Sequence, residues 1–435
     1  MRLKKSFKYL ICLILLTGIL PVGVHAEETD VPQGYVLEEV VVLSRHNIRA
    51  PLSTTGSALD AATPHTWTEW SSNASELSLR GGMLETSMGQ YFRKWLEEEE
   101  LIPENYRPQG EEVRFYANAK QRTIATAQYF SSGFLPVANV EIETNQEYDR
   151  MDPVFEPALT FLNDAYAEEC RKQMAEKETD LTGEYALLSR VTDLKDSLGY
   201  KNGSVTDFET GDSEYLLEIG KEPGVSGSLK TATTLSDALV LQYYETADAK
   251  EAAFGHDLSF EDWKSIAEIK DIYCQVLFGT PLLSAHVAHP LLKVIDAELE
   301  RTDRKFCFLC GHDSNLTSVL AALETEEYEL DGAIEADTPI GSKAVFEKWK
   351  DPAGKEYIRV RMIYESADQL RAVPLLDLRN PPEIRTLSFH GLNGENGLYP
   401  LKEFDDRLNQ CIRAYYDQMN AYGISSAGIP DTADR

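Results

Sequence analysis

The sequence has 435 residues, a length typical of two or three domains with a large buried core. Hydrophobic residues make up 43% of it, which argues against a disordered or collagen-like chain. The formal net charge is −30, from 42 basic and 72 acidic side chains. This charge argues against a nucleic-acid partner and against an anionic membrane surface, although a few arginines can still form a basic pocket for a small substrate.

The first 26 residues have the pattern of a secretory signal peptide. Basic side chains precede an apolar run at positions 9–20, and Val24 and Ala26 supply the small residues before a cleavage point after Ala26. The run is shorter than the ~20 residues that a membrane span requires, and an uncleaved anchor is the alternative interpretation. We therefore expect export to a periplasm or out of the cell, with no membrane attachment after cleavage.

The next part of the sequence contains two candidate strands, each followed by polar residues. Residues 36–44 form a β-branched run that predicts a buried strand, and the segment 45–51, RHNIRAP, follows directly. Residues 79–96 have apolar side chains at helical spacing. Residues 113–117 predict a second strand, and a helix at 121–130 follows it.

The middle of the sequence is mostly helical in pattern. Residues 159–177 and 236–245, for example, have apolar side chains at helical spacing. We predict an α/β domain made of residues 27–150 and 300–435, with a mainly helical domain at residues 151–299 inserted into it.

A third buried strand is predicted at residues 305–309, and it runs into the polar segment 311–315, GHDSN. A helix at 315–323 follows, with Asp313 or Ser314 as its N-cap. This arrangement repeats the pattern of the first two strands, since chemically active side chains again follow the end of an apolar run.

The predicted elements together favour one fold class. Residues 344–349 and 357–364 predict a hairpin at a sheet edge, and strands that alternate with helices predict an α/β fold with a largely parallel sheet flanked by helices. In such sheets ligands bind beyond the carboxyl ends of the strands. The segment 45–51, Arg122 and the pair at 312–313 all follow strands, so we expect them to converge on one crevice.

The cysteines and two of the histidines were candidate metal ligands. Cys307 and Cys310 form a C-x-x-C pair, but no further ligands complete a zinc site, and we expect both in a buried strand. His286 and His289 would share one helix face, but no carboxylate motif accompanies them. We therefore expect no metal ion and no other cofactor. Five cysteines remain after signal cleavage, and their pairing and the oligomeric state stay open.

Hydrolysis of a phosphomonoester without a metal needs three kinds of group. A neutral imidazole can act as a nucleophile and form a covalent intermediate. Guanidinium groups offer bidentate donors to phosphate oxygens, and a carboxylic acid can protonate the leaving alcohol. The residues that follow the three predicted strands supply every role: Arg45, His46, Arg49, Arg122, His312 and Asp313.

These residues carry a resemblance to a known family, the histidine acid phosphatases. Segment 45–51 resembles the R-H-G-x-R-x-P signature of that family, and 311–313 resembles its H-D pair. Segment 117–123, ANAKQRT, resembles the stretch that carries the third phosphate-binding arginine. The resemblance extends over about residues 32–416. It implies a histidine-phosphatase (phosphoglycerate-mutase-like) α/β domain with a smaller helical domain beside it, and an active site between the two.

The resemblance also implies a role for each residue. His46 would be the nucleophile that forms a phosphohistidine, and Asp313 would protonate the leaving oxygen and later activate water. The phosphate would be bound by Arg45, Arg49, Arg122 and His312.

Within the family, the match is closer to the glucose-1-phosphatase branch than to the related bacterial phytases. Asn47 stands where the family usually has glycine, and Leu52 follows the first motif, as in that branch. Glu245 matches a pocket glutamate that narrows the site there. The phytases carry a lysine soon after their first motif, whereas residues 52–55 read LSTT.

We therefore expect an exported acid phosphatase that acts on small phosphomonoesters, with sugar phosphates such as glucose 1-phosphate favoured. A phytase that acts on inositol hexakisphosphate is the alternative, disfavoured by the missing lysine and by the acidic chain, which would repel a polyanion. A non-catalytic sugar-phosphate binding protein is the remote alternative. The presence of both His46 and Asp313 counts against it.

Overall fold

The computed structural model describes residues 31–52 and 58–425. The expected signal peptide at residues 1–26 lies outside these described residues. The strands are β1 Val36–Arg45, β2 Val113–Ala117, β3 Glu214–Leu216, β4 Gly224–Ser226, β5 Phe306–Gly311, β6 Lys343–Lys350, β7 Glu356–Tyr364, β8 Glu383–Thr386 and β9 Leu398–Pro400.

Helices of very different length connect these strands. They are α1 Ala58–Ala61, α2 Leu79–Glu98, α3 Gln121–Phe134, α4 Asp164–Lys177, α5 Thr182–Val191, α6 Leu198–Asn202, α7 Ser228–Glu245, α8 Ala249–Ala252, α9 Phe260–Phe278, α10 Pro281–Val287, α11 His289–Leu299, α12 Asp313–Ala322, α13 Ala367–Ala372 and α14 Leu401–Ala421. A short 3-10 helix covers Leu194–Asp196. Within the described ranges, no helix is long and apolar enough to cross a membrane.

Seven strands form one mixed sheet in the order β2-β5-β1-β6-β7-β8, and β9 also pairs with β7. Strands β2, β5 and β1 are parallel, whereas the pairs from β1–β6 onwards are antiparallel. The predicted α/β class is confirmed, with a parallel core that covers three strands. The hairpin β6–β7 is also confirmed, but its position at a sheet edge is wrong, because β8 and β9 pair with the far side of β7.

Strand β1 contains an uninterrupted apolar run at residues 40–43, where both faces of the strand are buried. Val40 and Val42 pack in one core with residues of α2 and α3. Val41 and Leu43 pack in a second core with residues of α11, α12 and α14. Helices therefore cover both faces of the parallel strands, and the ends of those strands are the place where polar groups become accessible.

A third apolar core lies mostly among the helices of residues 159–287. All strands of the large sheet come from outside residues 151–299, and the boundaries of the two predicted domains stay a prediction. The helix expected at residues 159–177 begins only at Asp164, because Asn163 is its N-cap and accepts a hydrogen bond from the Tyr166 amide.

Two further local expectations are corrected. Helix α12 begins at Asp313 itself, and its N-cap is His312 in an extended conformation, rather than Asp313 or Ser314. His286 and His289 end up on the separate helices α10 and α11, since the chain breaks regular helix between them.

The five cysteines within the described ranges are all buried free thiols. Cys307 and Cys310 lie in β5, the buried strand that was expected for them.

Candidate active site

The three parallel strands end side by side, and backbone hydrogen bonds join their ends. The His46 amide donates to the Gly311 carbonyl at 3.1 Å, and the Asn118 amide donates to the Cys310 carbonyl at 3.0 Å. Gly311 leaves no room for a side chain, since a β-carbon there would overlap Asn315 Oδ1. Residues that are more than 60 positions apart in the sequence thus meet at one edge of the sheet.

His46 is buried, and its hydrogen bonding determines its tautomer. Its side chain lies at the end of β1, where Nδ1 is 2.9 Å from the Asn47 carbonyl oxygen. A carbonyl can only accept, so Nδ1 carries the proton and Nε2 keeps its lone pair. Burial and the nearby Arg122 guanidinium hold the pKa of His46 well below its usual value. These effects favour the neutral imidazole, whose Nε2 is a nucleophilic nitrogen.

His312 has the same tautomer, but the protein engages its other ring nitrogen. Asn118 Oδ1 accepts a hydrogen bond from the Asp152 amide, so the Asn118 Nδ2 group points at His312 Nε2 and donates to it at 2.7 Å. His312 Nδ1 then carries the proton in the neutral ring. Burial and Arg122 also hold the pKa of His312 well below its usual value. The two imidazole rings lie 5.4 Å apart, one with a free lone pair and one with an N–H donor.

Three guanidinium groups surround these rings. Arg122 Nη2 lies 3.4 Å from His312 Nδ1, and Arg49 Nη2 lies 3.0 Å from Asp237 Oδ2. Burial and the like charge of Arg49 lower the pKa of Arg122 to about 10. Crowding of cations is unfavourable without an anion between them, so this arrangement is suited to a dianionic ligand such as a phosphate group.

Arg45 is fixed from behind. Its Nη1 donates to Glu335 Oε1 at 2.6 Å and to the Thr338 carbonyl at 2.5 Å. Its Nη2 lies 3.4 Å from Asp313 Oδ2. Nη1 of the guanidinium group is thus hydrogen-bonded within the protein, whereas Nη2 is directed to the Asp313 side of the cleft.

Asp313 lies next to two cations. Lys270 Nζ of α9 is 2.6 Å from Asp313 Oδ2, and Arg45 is the second cation. Burial alone would raise the pKa of Asp313, but Lys270 and Arg45 outweigh it and hold the pKa well below its usual range. The carboxyl is therefore ionised in the ligand-free cleft.

The structure separates the three predicted pocket residues. Asn47 is fully buried, and its side-chain amide donates to Glu85 Oε1 at 2.8 Å, which ties the first motif to α2. Its expected place in the substrate pocket stays a prediction. Leu52 is 62% exposed. Glu245 accepts a hydrogen bond from Ser78 Oγ, and the Ser78 amide bonds to the Ile48 carbonyl beside the first motif.

Sequence reasoning missed three charged residues of the cleft: Asp237, Lys270 and Glu335. A signal for one of them was available. Lys270 lies four residues after the buried Ile266 and four before the buried Cys274, a spacing that places a lysine on the apolar face of α9. Asp237 and Glu335 carry no comparable signal.

The assembled groups match the needs of phosphoryl transfer. A neutral imidazole with a lone pair faces a cluster of guanidinium groups, an imidazole N–H donor and a carboxyl group. Among the described residues, no group of three or more histidine, cysteine, aspartate or glutamate side chains could hold a metal ion.

Known proteins are similar to this chain in sequence and in fold. The family model described as "Histidine phosphatase superfamily (branch 2)" matches residues 36–365. Glucose-1-phosphatase of Providencia rettgeri is 37% identical over 390 residues, covering 87% of this chain and 93% of that protein. Glucose-1-phosphatase of Salmonella typhimurium is also 37% identical, covering 91% and 97%. The apo structure of Hafnia alvei phytase has a TM-score of 0.81 at 27% identity, covering 89% and 99%.

Proposed function

The chain belongs to branch 2 of the histidine phosphatase superfamily, and from this membership and the cleft geometry we propose that it hydrolyses small phosphomonoesters through a phosphohistidine on His46. The observation that carries the proposal is the neutral imidazole of His46, oriented by the Asn47 carbonyl and surrounded by guanidinium groups. The oriented lone pair supports a nucleophilic role, which a residue that only binds phosphate does not need.

In the first step, His46 Nε2 attacks phosphorus and the bond from phosphorus to the ester oxygen breaks. The electron pair goes to the leaving oxygen, which takes a proton from Asp313. The phosphate oxygens are stabilised by Arg45, Arg49, Arg122 and the His312 N–H. Asp313 must be protonated for this step, so turnover is expected at acidic pH.

In the second step, the Asp313 carboxylate takes a proton from water as the water oxygen attacks phosphorus. The bond from phosphorus to Nε2 breaks, which releases inorganic phosphate and neutral His46. The protein then returns to its starting state without a cofactor.

The preferred substrate class is sugar phosphates such as glucose 1-phosphate. This preference rests on the two glucose-1-phosphatases, each 37% identical over most of this chain. Two carboxylates lie beside the first motif: Asp237 accepts from Arg49, and Glu245 accepts from Ser78. Negative charge at this place suits a polar, neutral leaving group better than a leaving group that carries a second phosphate.

Hydrolysis of inositol hexakisphosphate is the second candidate. The observation that favours it is the structural likeness to Hafnia alvei phytase, with a TM-score of 0.81. The lower identity of 27% and the carboxylates near the first motif place it second.

The test compares kcat/KM of the purified mature protein for glucose 1-phosphate and for phytate at mildly acidic pH, with a chelator present. A strong preference for glucose 1-phosphate is expected. A preference for phytate would overturn the substrate assignment but not the histidine mechanism. If neither substrate nor any other phosphomonoester were hydrolysed, the result would favour a non-catalytic binding protein.

The protein acts outside the cytoplasm in this proposal, in a periplasm or in the medium. The signal pattern of residues 1–26 supports this location. N-terminal sequencing of the protein recovered from its native host is expected to begin at Glu27, and recovery of a chain that begins at Met1 would contradict export by cleavage.

A further inference from the structure

We propose that Lys270 is a positioning residue for Asp313, and that its ammonium group fixes the carboxyl at the cleft and confines protonation of the leaving group to acidic pH. The inference rests on the proposed function, because it takes Asp313 as the general acid. Lys270 comes from helix α9, and no sequence motif links it to the two phosphatase signatures.

The geometry separates the roles of the two residues. Lys270 Nζ is 2.6 Å from Asp313 Oδ2 and 3.8 Å from Glu335 Oε1. The side chain of Lys270 is 9% exposed, whereas that of Asp313 is 22% exposed. A substrate in the cleft therefore reaches Asp313, and Lys270 acts on the reaction through that carboxyl.

The partners of this ion pair are themselves held in place. Glu335 Oε2 accepts hydrogen bonds from the Ile340 amide at 2.9 Å and from the Tyr244 hydroxyl at 3.3 Å. Asp313 Oδ1 accepts from the Ser314 amide at 2.9 Å, which leaves Oδ2 for the cations. Each carboxylate is thus bound through both oxygens, so the position of the ammonium group between them is well defined.

Other charged and titratable groups also face Asp313. They are Arg45 and His46 at the end of β1, Arg122 of α3, Glu222 before α7, Tyr273 and Cys274 of α9, and His312. Arg49 and Asp237 of α7 pair with each other nearby, and Glu335, after α12, pairs with Arg45 and Lys270. In the described part of the chain, Lys270 and Arg45 are the cations within 4 Å of Asp313 Oδ2.

The two cations differ in what a substrate does to them. A bound phosphate dianion pairs with Arg45, whose Nη2 faces the cleft. It also adds negative charge, which favours protonation of Asp313. Lys270 lies behind Asp313 and stays beside it. Asp313 raises the pKa of Lys270 although burial and Arg45 lower it, so Lys270 remains a fixed positive charge over the acidic range.

The sign of the effect follows from this arrangement. A fixed cation stabilises the carboxylate, so the protonated acid exists only at lower pH. Turnover of substrates with poor leaving groups then declines on the alkaline side at a lower pH than it would with an unpaired aspartic acid. Removal of the cation is expected to move this decline upwards by at least about one pH unit.

The experiment measures kcat against pH for Lys270→Met, Lys270→Arg and the wild-type protein. The substrates are glucose 1-phosphate, which has an alkyl leaving group, and p-nitrophenyl phosphate, whose leaving group needs little proton transfer. For Lys270→Met we expect the alkaline limb for glucose 1-phosphate to move upwards by about one unit or more, with a smaller movement for p-nitrophenyl phosphate. Lys270→Arg keeps the charge and is expected to keep the position of the wild-type limb.

A matched control uses the same helix. Lys264→Met removes a lysine whose side chain is 47% exposed and pairs with Glu261 at 3.7 Å, away from the cleft. This variant is expected to leave the limb where it is, so a shift that also appeared in it would overturn the inference.

Two further measurements keep the outcomes apart. Asp313→Asn tests the proposed acid: a loss that is greater for glucose 1-phosphate than for p-nitrophenyl phosphate supports the role, and equal losses would overturn it and the inference together. If that role stands and Lys270→Met keeps the wild-type limb, the inference alone fails.

A measurement on the wild-type protein tests the inference even if the Lys270 variants do not fold. The ¹³C chemical shift of the Asp313 carboxyl, assigned with Asp313→Asn, is expected to show an ionised group at the pH where a free aspartate is half protonated. An ordinary or raised titration midpoint would overturn the inference without any Lys270 variant.

Discussion

Two regions of the same sheet bury charged side chains, and they arrange them differently. In the antiparallel half, Glu347 of β6 is fully buried opposite Arg359 of β7, which bonds to it at 2.8 Å, and Arg361 and Trp349 also donate to it. At the ends of the parallel strands, Arg122 crowds against Arg49, and no carboxylate contact compensates Arg122 among the ion pairs of the described residues.

The difference separates a structural ion cluster from a binding cleft. Burial would raise the pKa of Glu347, but Arg361 and Arg359 more than offset it and lower that pKa, so the Glu347 carboxylate is paired inside the protein. In the cleft, burial and like charge lower the pKa of Arg122 and of both histidines, which leaves positive charge and a lone pair available to a ligand. A buried charged side chain without a compensating neighbour therefore indicates a binding site, whereas a paired one indicates a structural role.

The largest expected effect is in the cleft. We expect His46→Ala to lower kcat by about 10⁴-fold or more, because the covalent step loses its nucleophile. Steady-state kinetics on glucose 1-phosphate measure it, and the melting temperature is the control for folding. A variant with near-normal turnover would show that His46 is not the nucleophile.

The next effect belongs to the structural cluster. Glu347→Gln removes the charge of the fully buried carboxylate to which Arg359, Arg361 and Trp349 donate, and we expect the free energy of unfolding to fall by about 3–5 kcal/mol. Urea unfolding measures it. Glu356→Gln is the matched control, since its side chain is 39% exposed beside Lys348 and its removal is expected to cost less than about 1 kcal/mol.

The two clusters should also differ in activity. The kcat/KM of folded Glu347→Gln protein is expected to equal that of the wild-type protein. A large loss of kcat/KM without a loss of stability would contradict the purely structural role of the Glu347 cluster.

A smaller effect is expected for one cation of the cleft. Arg122→Met removes charge-assisted hydrogen bonds to phosphate, worth about 1.5–3 kcal/mol, so KM for glucose 1-phosphate should rise roughly 10–100-fold. Inhibition by inorganic phosphate should weaken in parallel. Arg93→Met, at a partly buried pair with Glu97 on α2, is the control and should change neither value. Unchanged phosphate inhibition in Arg122→Met would place the phosphate elsewhere.

The smallest effect concerns metals. Dialysis against a chelator is expected to change kcat/KM by less than about two-fold, because the described chemistry uses only protein groups. Complete loss of activity that returns on addition of a metal ion would contradict this.

The sequence predicted the parts of the fold that depend on local pattern. The bounds of β2 at residues 113–117 were predicted correctly, and β1 and β5 end where the two phosphatase motifs begin. Because three parallel strands end at one edge, the convergence of His46, Arg122 and His312 followed from position alone. The α/β class, predicted from strands that alternate with helices, is confirmed, and so is the family that the resemblance of the motifs implied.

The rest depends on packing between distant segments. Lys270 reaches Asp313 only because α9 packs against α12, and Glu335 reaches Arg45 across 290 positions of sequence. The side-chain amide of Asn47 donates to the buried Glu85, which lies 38 positions away on α2, and the first motif alone does not reveal this contact.

The most direct test of the central claim is to trap the intermediate. The mature protein is mixed with a ³²P-labelled phosphomonoester, quenched in denaturing alkali, and digested to locate the label. We expect label on the peptide that contains His46, stable in alkali and released by acid, and no label on His46→Ala. Label on another residue, or turnover with no trapped phosphoryl group in either protein, would contradict transfer through His46.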